Sequence, residues 1–104
     1  MWKKAIGVDG QEYDSVSEAR IADWLFQHEI AYEPHKPLPP PSPGVCDFFL
    51  PDYELWVEYD GLMEVRRDTK LVRKKSFYVA NDMKFLIITR QGWQNALYDA
   101  IIGE

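Results

Sequence analysis

The chain has a single cysteine, Cys46, no long apolar run and no internal repeat. Each shortage removes a class of protein. With one thiol no internal disulfide can form, and a cysteine outside any Cys/His cluster fits a reducing compartment. No stretch approaches the roughly 18 to 20 apolar residues of a transmembrane helix. The opening Met1-Trp2-Lys3-Lys4-Ala5-Ile6 also lacks the apolar stretch of a signal peptide. A cytoplasmic protein with no membrane partner is the expectation.

What is present is enough for one core. Of 104 residues, 46% are hydrophobic and 14% aromatic, so a single domain over 1–104 is expected. The net charge of −5 argues against a nucleic-acid partner, because non-specific binding neutralises phosphates with cations. The cations are unevenly placed, however. Arg66, Arg67, Lys70, Arg73, Lys74 and Lys75 put half of the 12 basic residues into one ten-residue window holding a single acid, Asp68. A basic face is expected beneath the acidic balance.

Asp9-Gly10 between two short extended pieces, Lys3 to Val8 and Gln11 to Tyr13, reads as a hairpin. Ser15 followed by Glu18 is a capping-box pattern, and Ile21, Ala22 and Leu25 recur on one face, predicting a helix over Val16 to His28. Ile30 to about Lys36 reads as extended. The stretch 37–44 carries Pro37, Pro39, Pro40, Pro41 and Pro43, which removes amide donors and predicts a stiff loop. Val45 to Leu50 and Tyr53 to Tyr59 read as two strands joined at Pro51-Asp52. Helical periodicity over Leu62 to Ala80, a buried strand over Lys84 to Thr89 and an amphipathic helix over Gln91 to Ile102 complete the chain.

The chemistry concentrates in the second hairpin. Alternation along a strand puts Trp56, Glu58 and Asp60 on one face and Leu55, Val57 and Tyr59 on the other. Asp47 lies eleven residues before Glu58, and a turn near Pro51-Asp52 brings the two carboxylates to the same end of the sheet. Such a pair holds a hard cation with waters and phosphate; the bland alternative is surface charge on an edge hairpin. On the following helix an apolar stripe of Val65, Leu71, Val72, Tyr78 and Val79 contains Lys75. That lysine either meets the carboxylates or a phosphate, or snorkels to solvent, and Lys74 takes its place if the helix is rotated. Glu18 either caps its helix or stands near the site.

Ser-x-x-Glu in the first helix, Asp-Phe-x-Leu-Pro in one strand and Glu-x-Asp-Gly ending the next, in this order, resemble the PD-(D/E)XK nuclease superfamily. The small stand-alone phage and archaeal nucleases and the very-short-patch-repair-like enzymes are the nearest in pattern, over about residues 13 to 98. The resemblance implies an α/β fold with a restriction-endonuclease-like αβββαβ core, a central mixed sheet flanked by helices. It also implies a metal-dependent DNA endonuclease using Mg²⁺, or Mn²⁺ in its place. Asp47 and Glu58 would be metal ligands together with the Tyr59 carbonyl, and Glu18 would be the first-helix acid. Two departures stand out: Cys46 replaces the proline before the first aspartate, and Asp60 replaces the lysine expected two positions after Glu58. Lys75 would then serve the transition state, or Asp60 join the acids. Arg66, Arg67, Lys70, Arg73 and Lys74 would contact DNA phosphates. No base-reading module is evident, so structure-selective or weakly specific cleavage is expected, with a homodimer or larger DNA-processing assembly for targeting. The rivals are a catalytically inactive binding module of the same fold and a purely structural subunit.

Overall fold

The computed structural model describes residues 5–42, 44–61 and 69–102, and the chain forms two units, Met1–Tyr32 and Glu33–Glu104. In the first, β1 (Ala5–Ile6) pairs antiparallel with β2 (Glu12–Tyr13), with Ala5 opposite Tyr13. Gly10 turns the chain at φ 83°, a conformation that glycine adopts without a Cβ penalty. Asp9 locks the turn by accepting the Gln11 amide at 2.9 Å. Helix α1 (Val16–Gln27) starts where expected, since the Ser15 hydroxyl accepts the Glu18 amide at 3.1 Å. It stops at Glu29, whose φ of 57° lets the Ile30 amide reach back to the Leu25 carbonyl at 3.0 Å. That is a Schellman-type ending built without glycine. Its inward face carries the expected Ile21, Ala22 and Leu25, all buried.

The second unit holds a mixed four-stranded sheet in the order β3-β4-β5-β6. Strands β3 (Glu33–Pro37), β4 (Val45–Leu50) and β5 (Leu55–Asp60) run antiparallel in succession. A 3₁₀ turn over Pro51–Tyr53, closed by Glu54 at φ 48°, returns the chain so that Leu50 faces Leu55. Strand β6 (Phe85–Thr89) then lies parallel to β5, Glu58 opposite Ile87. A parallel neighbour requires a crossover, which contains α2 (Thr69–Ala80). Helix α3 (Trp93–Ile101) follows β6 and packs on it, burying Leu97 and Ile101. The molecule is an α/β protein, and among the described residues no helix is long and apolar enough to cross a membrane.

Two expectations change. Strand β5 is not half-exposed with an acidic solvent face: Leu55, Trp56, Val57 and Glu58 are all buried. As an interior strand its flanks are covered by β4 and β6, and its Trp56 joins a cluster with Leu38, Cys46 and Tyr78. Strand β6, expected to be buried throughout, is fully buried only at Ile88 because it is the last strand of the described sheet. The helix expected over 62–80 is described from Thr69 onward. Val65, Arg66 and Arg67 lie outside the described residues.

Candidate functional site

The β4–β5 ladder runs from Leu50↔Leu55 to Phe48↔Val57, and one further step would place Asp47 opposite Glu58. The ladder ends there, and the Asp47 carboxylate takes over its role by accepting the Tyr59 amide at 2.7 Å. Strand geometry thus delivers both acids to one end of the sheet, as the hairpin register implied. Glu58 is 1% exposed, and it is the one buried charged residue among those described.

Helix α2 closes over this point. The Lys74 ammonium donates to Glu58 Oε1 at 2.8 Å and to the Val45 carbonyl at 2.9 Å. The buried Tyr78 hydroxyl donates to Glu58 Oε2. Leu71, Lys74 and Tyr78 stand at i, i+3 and i+7 and form the inward stripe. The expected stripe is off by one residue: Val72 and Val79 are exposed, 47% and 65%, and Lys75 is exposed with them. Lys74, not Lys75, meets the acids, and Lys75 takes the place expected for Lys74 on the solvent side. The lysine stem runs past Gly44, where a Cβ would lie 3.6 Å from Lys74 Cδ and 3.2 Å from Leu38 Cδ1.

The electrostatics of the cluster are lopsided. Burial pushes Glu58 above the usual carboxylate range, more than the Lys74 and Tyr78 hydrogen bonds pull it down, and Asp47 adds repulsion. Asp47 is also raised by burial, against the Tyr59 amide and the nearby ammonium. Lys74 is raised, because Glu58 and Asp47 together outweigh the desolvation that opposes its charge. The two partners of one ion pair therefore fare differently: Lys74 keeps 19% of its side chain in solvent whereas Glu58 keeps 1%, so Glu58 bears the greater desolvation. Tyr78 is held far above its ordinary value by burial, Cys46 and Glu58. The Cys46 thiol is pushed up to about 12, chiefly by burial and then by Glu58. Its sulfur lies 3.1 and 3.3 Å from the Phe48 and Val57 carbonyls, a packed and unreactive thiol.

Of the residues expected to act together, the structure assembles Asp47, Glu58 and Lys74, with the Tyr59 amide on Asp47. Asp60 ends β5 half-buried, opposite Thr89. Lys70, Arg73 and Lys75 are exposed on α2. Glu18 belongs to the first unit, half-buried in the first turn of α1. The role of Tyr78 was not anticipated; a tyrosine four residues after Lys74 was a signal, because a buried phenol needs an acceptor. No family model matches the chain, and no curated protein or solved structure matches it.

Proposed function

We propose that Asp47, Glu58 and Lys74 form the centre of a divalent-cation-dependent phosphodiesterase that cleaves DNA, on a restriction-endonuclease-like αβββαβ core. The element order supports this core: a helix, three antiparallel strands, a helix, then a strand parallel to the third. The observation that carries the reading is a 1%-exposed glutamate on an interior strand, beside a second acid, with a lysine from another element ending on it. Keeping two desolvated carboxylates together destabilises a fold, and such arrangements concentrate at functional sites.

The donor set fits a hard cation. Carboxylate and backbone-carbonyl oxygens already hold an ammonium here, and burial is what raises Asp47 and Glu58, a cost that a bound cation would offset. Asp47 and Glu58 would hold Mg²⁺, or Mn²⁺, with the Tyr59 carbonyl as a further ligand. When bound, the ion lowers the pKa of its water and neutralises phosphate charge. Tyr78 holds Glu58 in orientation, and Lys74 places a positive charge where phosphoryl oxygen charge develops. Lys70, Arg73 and Lys75 contact neighbouring phosphates, which positions DNA without reading its sequence. Structure-selective or weakly specific cleavage follows, with a homodimer or a larger assembly supplying the target.

Incubating the full chain with plasmid and branched DNA in Mg²⁺ or Mn²⁺ tests this. Cleavage is expected from the wild type and none from Asp47→Asn or Glu58→Gln; wild-type-like cleavage by either variant overturns the assignment. A second reading, an inactive DNA-binding module, is favoured by the protein partners on both Glu58 oxygens and by Asp60 at the motif-lysine position. It requires DNA binding without cleavage in either metal.

A further inference from the structure

We infer that Lys74 is the resident cation of this site, and that a divalent metal reaches Glu58 by displacing its ammonium. The inference rests on the metal-site reading above and states how that site is gated. Both oxygens of Glu58 are engaged, Oε1 by Lys74 and Oε2 by Tyr78. A metal ion sits about 2.0 to 2.1 Å from its oxygen ligands, and the ammonium is 2.8 Å from Oε1. Two cations on that oxygen would stand no more than about 5 Å apart, where repulsion in a partly dry site is severe. One of them must leave.

The two partners of Glu58 differ in their freedom to do so. Tyr78 is 0% exposed and packed among Trp56, Phe85 and Cys46. Lys74 retains 19% exposure on a flexible stem that passes the side-chain-free Gly44. Lys74 therefore yields while Tyr78 keeps the carboxylate in place. Displacement leaves an ammonium tethered next to the ion without its carboxylate, and a DNA phosphate is the counter-ion that suits it. Metal and DNA then bind cooperatively, and each raises the affinity of the other.

Calorimetric titration of Mn²⁺ into the wild-type chain, Lys74→Gln and Lys74→Met, without DNA, is the test. Both variants should bind about tenfold or more tightly than the wild type, the scale of one charge-assisted hydrogen bond. Mn²⁺ should also raise their melting temperatures more than it raises the wild type's. Equal or weaker binding by variants of a metal-binding wild type overturns the gate and leaves the nuclease reading intact. Binding by the variants alone supports the gate, and repeating the wild-type titration with DNA present then decides the nuclease reading, which fails if the wild type still takes up no metal. Absence of binding in all three overturns both. A readout on the wild type covers the case in which the variants do not fold. In ¹⁵N-lysine NMR the Lys74 ammonium should lose its slow proton exchange on addition of Mg²⁺, and retention of that signal at saturating Mg²⁺ overturns the gate.

Discussion

Asp9, in the hairpin turn of the first unit, accepts the hydroxyls of Tyr13 and Tyr32, both at 2.6 Å, and the amide of Gln11. Glu58, on an interior strand of the second, accepts a tyrosine hydroxyl and an ammonium. Each carboxylate is desolvated and each has a phenol as partner, yet they respond in opposite directions. At Asp9 burial raises the pKa, but the tyrosines and backbone donors outweigh it and hold the group below its usual 3.8. At Glu58 burial wins and the group stays above its usual 4.5. The difference is one of depth: Asp9 is half-buried at a surface turn, whereas Glu58 is 1% exposed. Asp9 is ionised because the fold is more stable that way. It ties the turn to Tyr32, while Asp23 accepts the Val8 amide at 2.8 Å. At Glu58 and Asp47 burial instead opposes the charged form, so each carboxylate is held at a cost to local stability, and groups perturbed in this way cluster at functional sites.

The largest expected effect separates the lysines of the second unit. Lys74→Met should lower Mg²⁺-dependent cleavage by about 10²-fold or more, the loss typical of one electrostatic stabiliser, whereas Lys75→Met should cost far less and only through weaker DNA binding; equal losses in a single-turnover assay at saturating DNA would refute the role given to Lys74.

Next in size is the contrast in stability. Asp9→Ala strips acceptors from two phenols, and urea unfolding should report a loss of about 2 to 4 kcal/mol. Asp47→Asn relieves a raised carboxylate and should leave stability at neutral pH unchanged or higher. If Asp9→Ala proves as mild as Asp47→Asn, the contrast between a bracing carboxylate and one held against burial fails.

The pH dependence sharpens the same contrast through opposite signs. Because the folded pKa of Asp9 is depressed, its stabilisation is present above 3.8 and is lost as pH falls through its lower folded value. Asp47 and Glu58 bind protons more tightly when folded, so their contribution is lost as pH rises from 3.8 and 4.5 through their higher folded values. Denaturation measured across acid pH should therefore lose its acid-limb slope in Asp9→Asn, whereas in Asp47→Asn the decline on the higher-pH side should diminish.

The smallest effects belong to the exposed face of α2. Neutralising Lys70, Arg73 and Lys75 should change stability by no more than about 0.5 kcal/mol each. It should flatten the logarithmic salt dependence of DNA affinity by about 0.9 for each phosphate that the helix no longer neutralises. An unchanged slope would place DNA elsewhere.

Local signals in the chain were sufficient wherever the controlling interaction is itself local. Asp9-Gly10 made its turn, Ser15 capped α1, and the alternation of β4 and β5 with the short turn between them carried Asp47 and Glu58 to one end of the sheet. The depth of β5 was not legible, because a strand's burial depends on its neighbours, and β6 arrives across a helix. Nor was the phase of α2. Leu71, Lys74 and Tyr78 make a stripe as regular as Val72, Lys75 and Val79, and the two lie only about 100° apart around the same helix. By itself the sequence determined that a lysine of this helix could face two paired acids. Only the tertiary structure chose Lys74, because the Tyr78 hydroxyl must reach Glu58, and with Tyr78 turned inward the residue one turn earlier on the same face is Lys74.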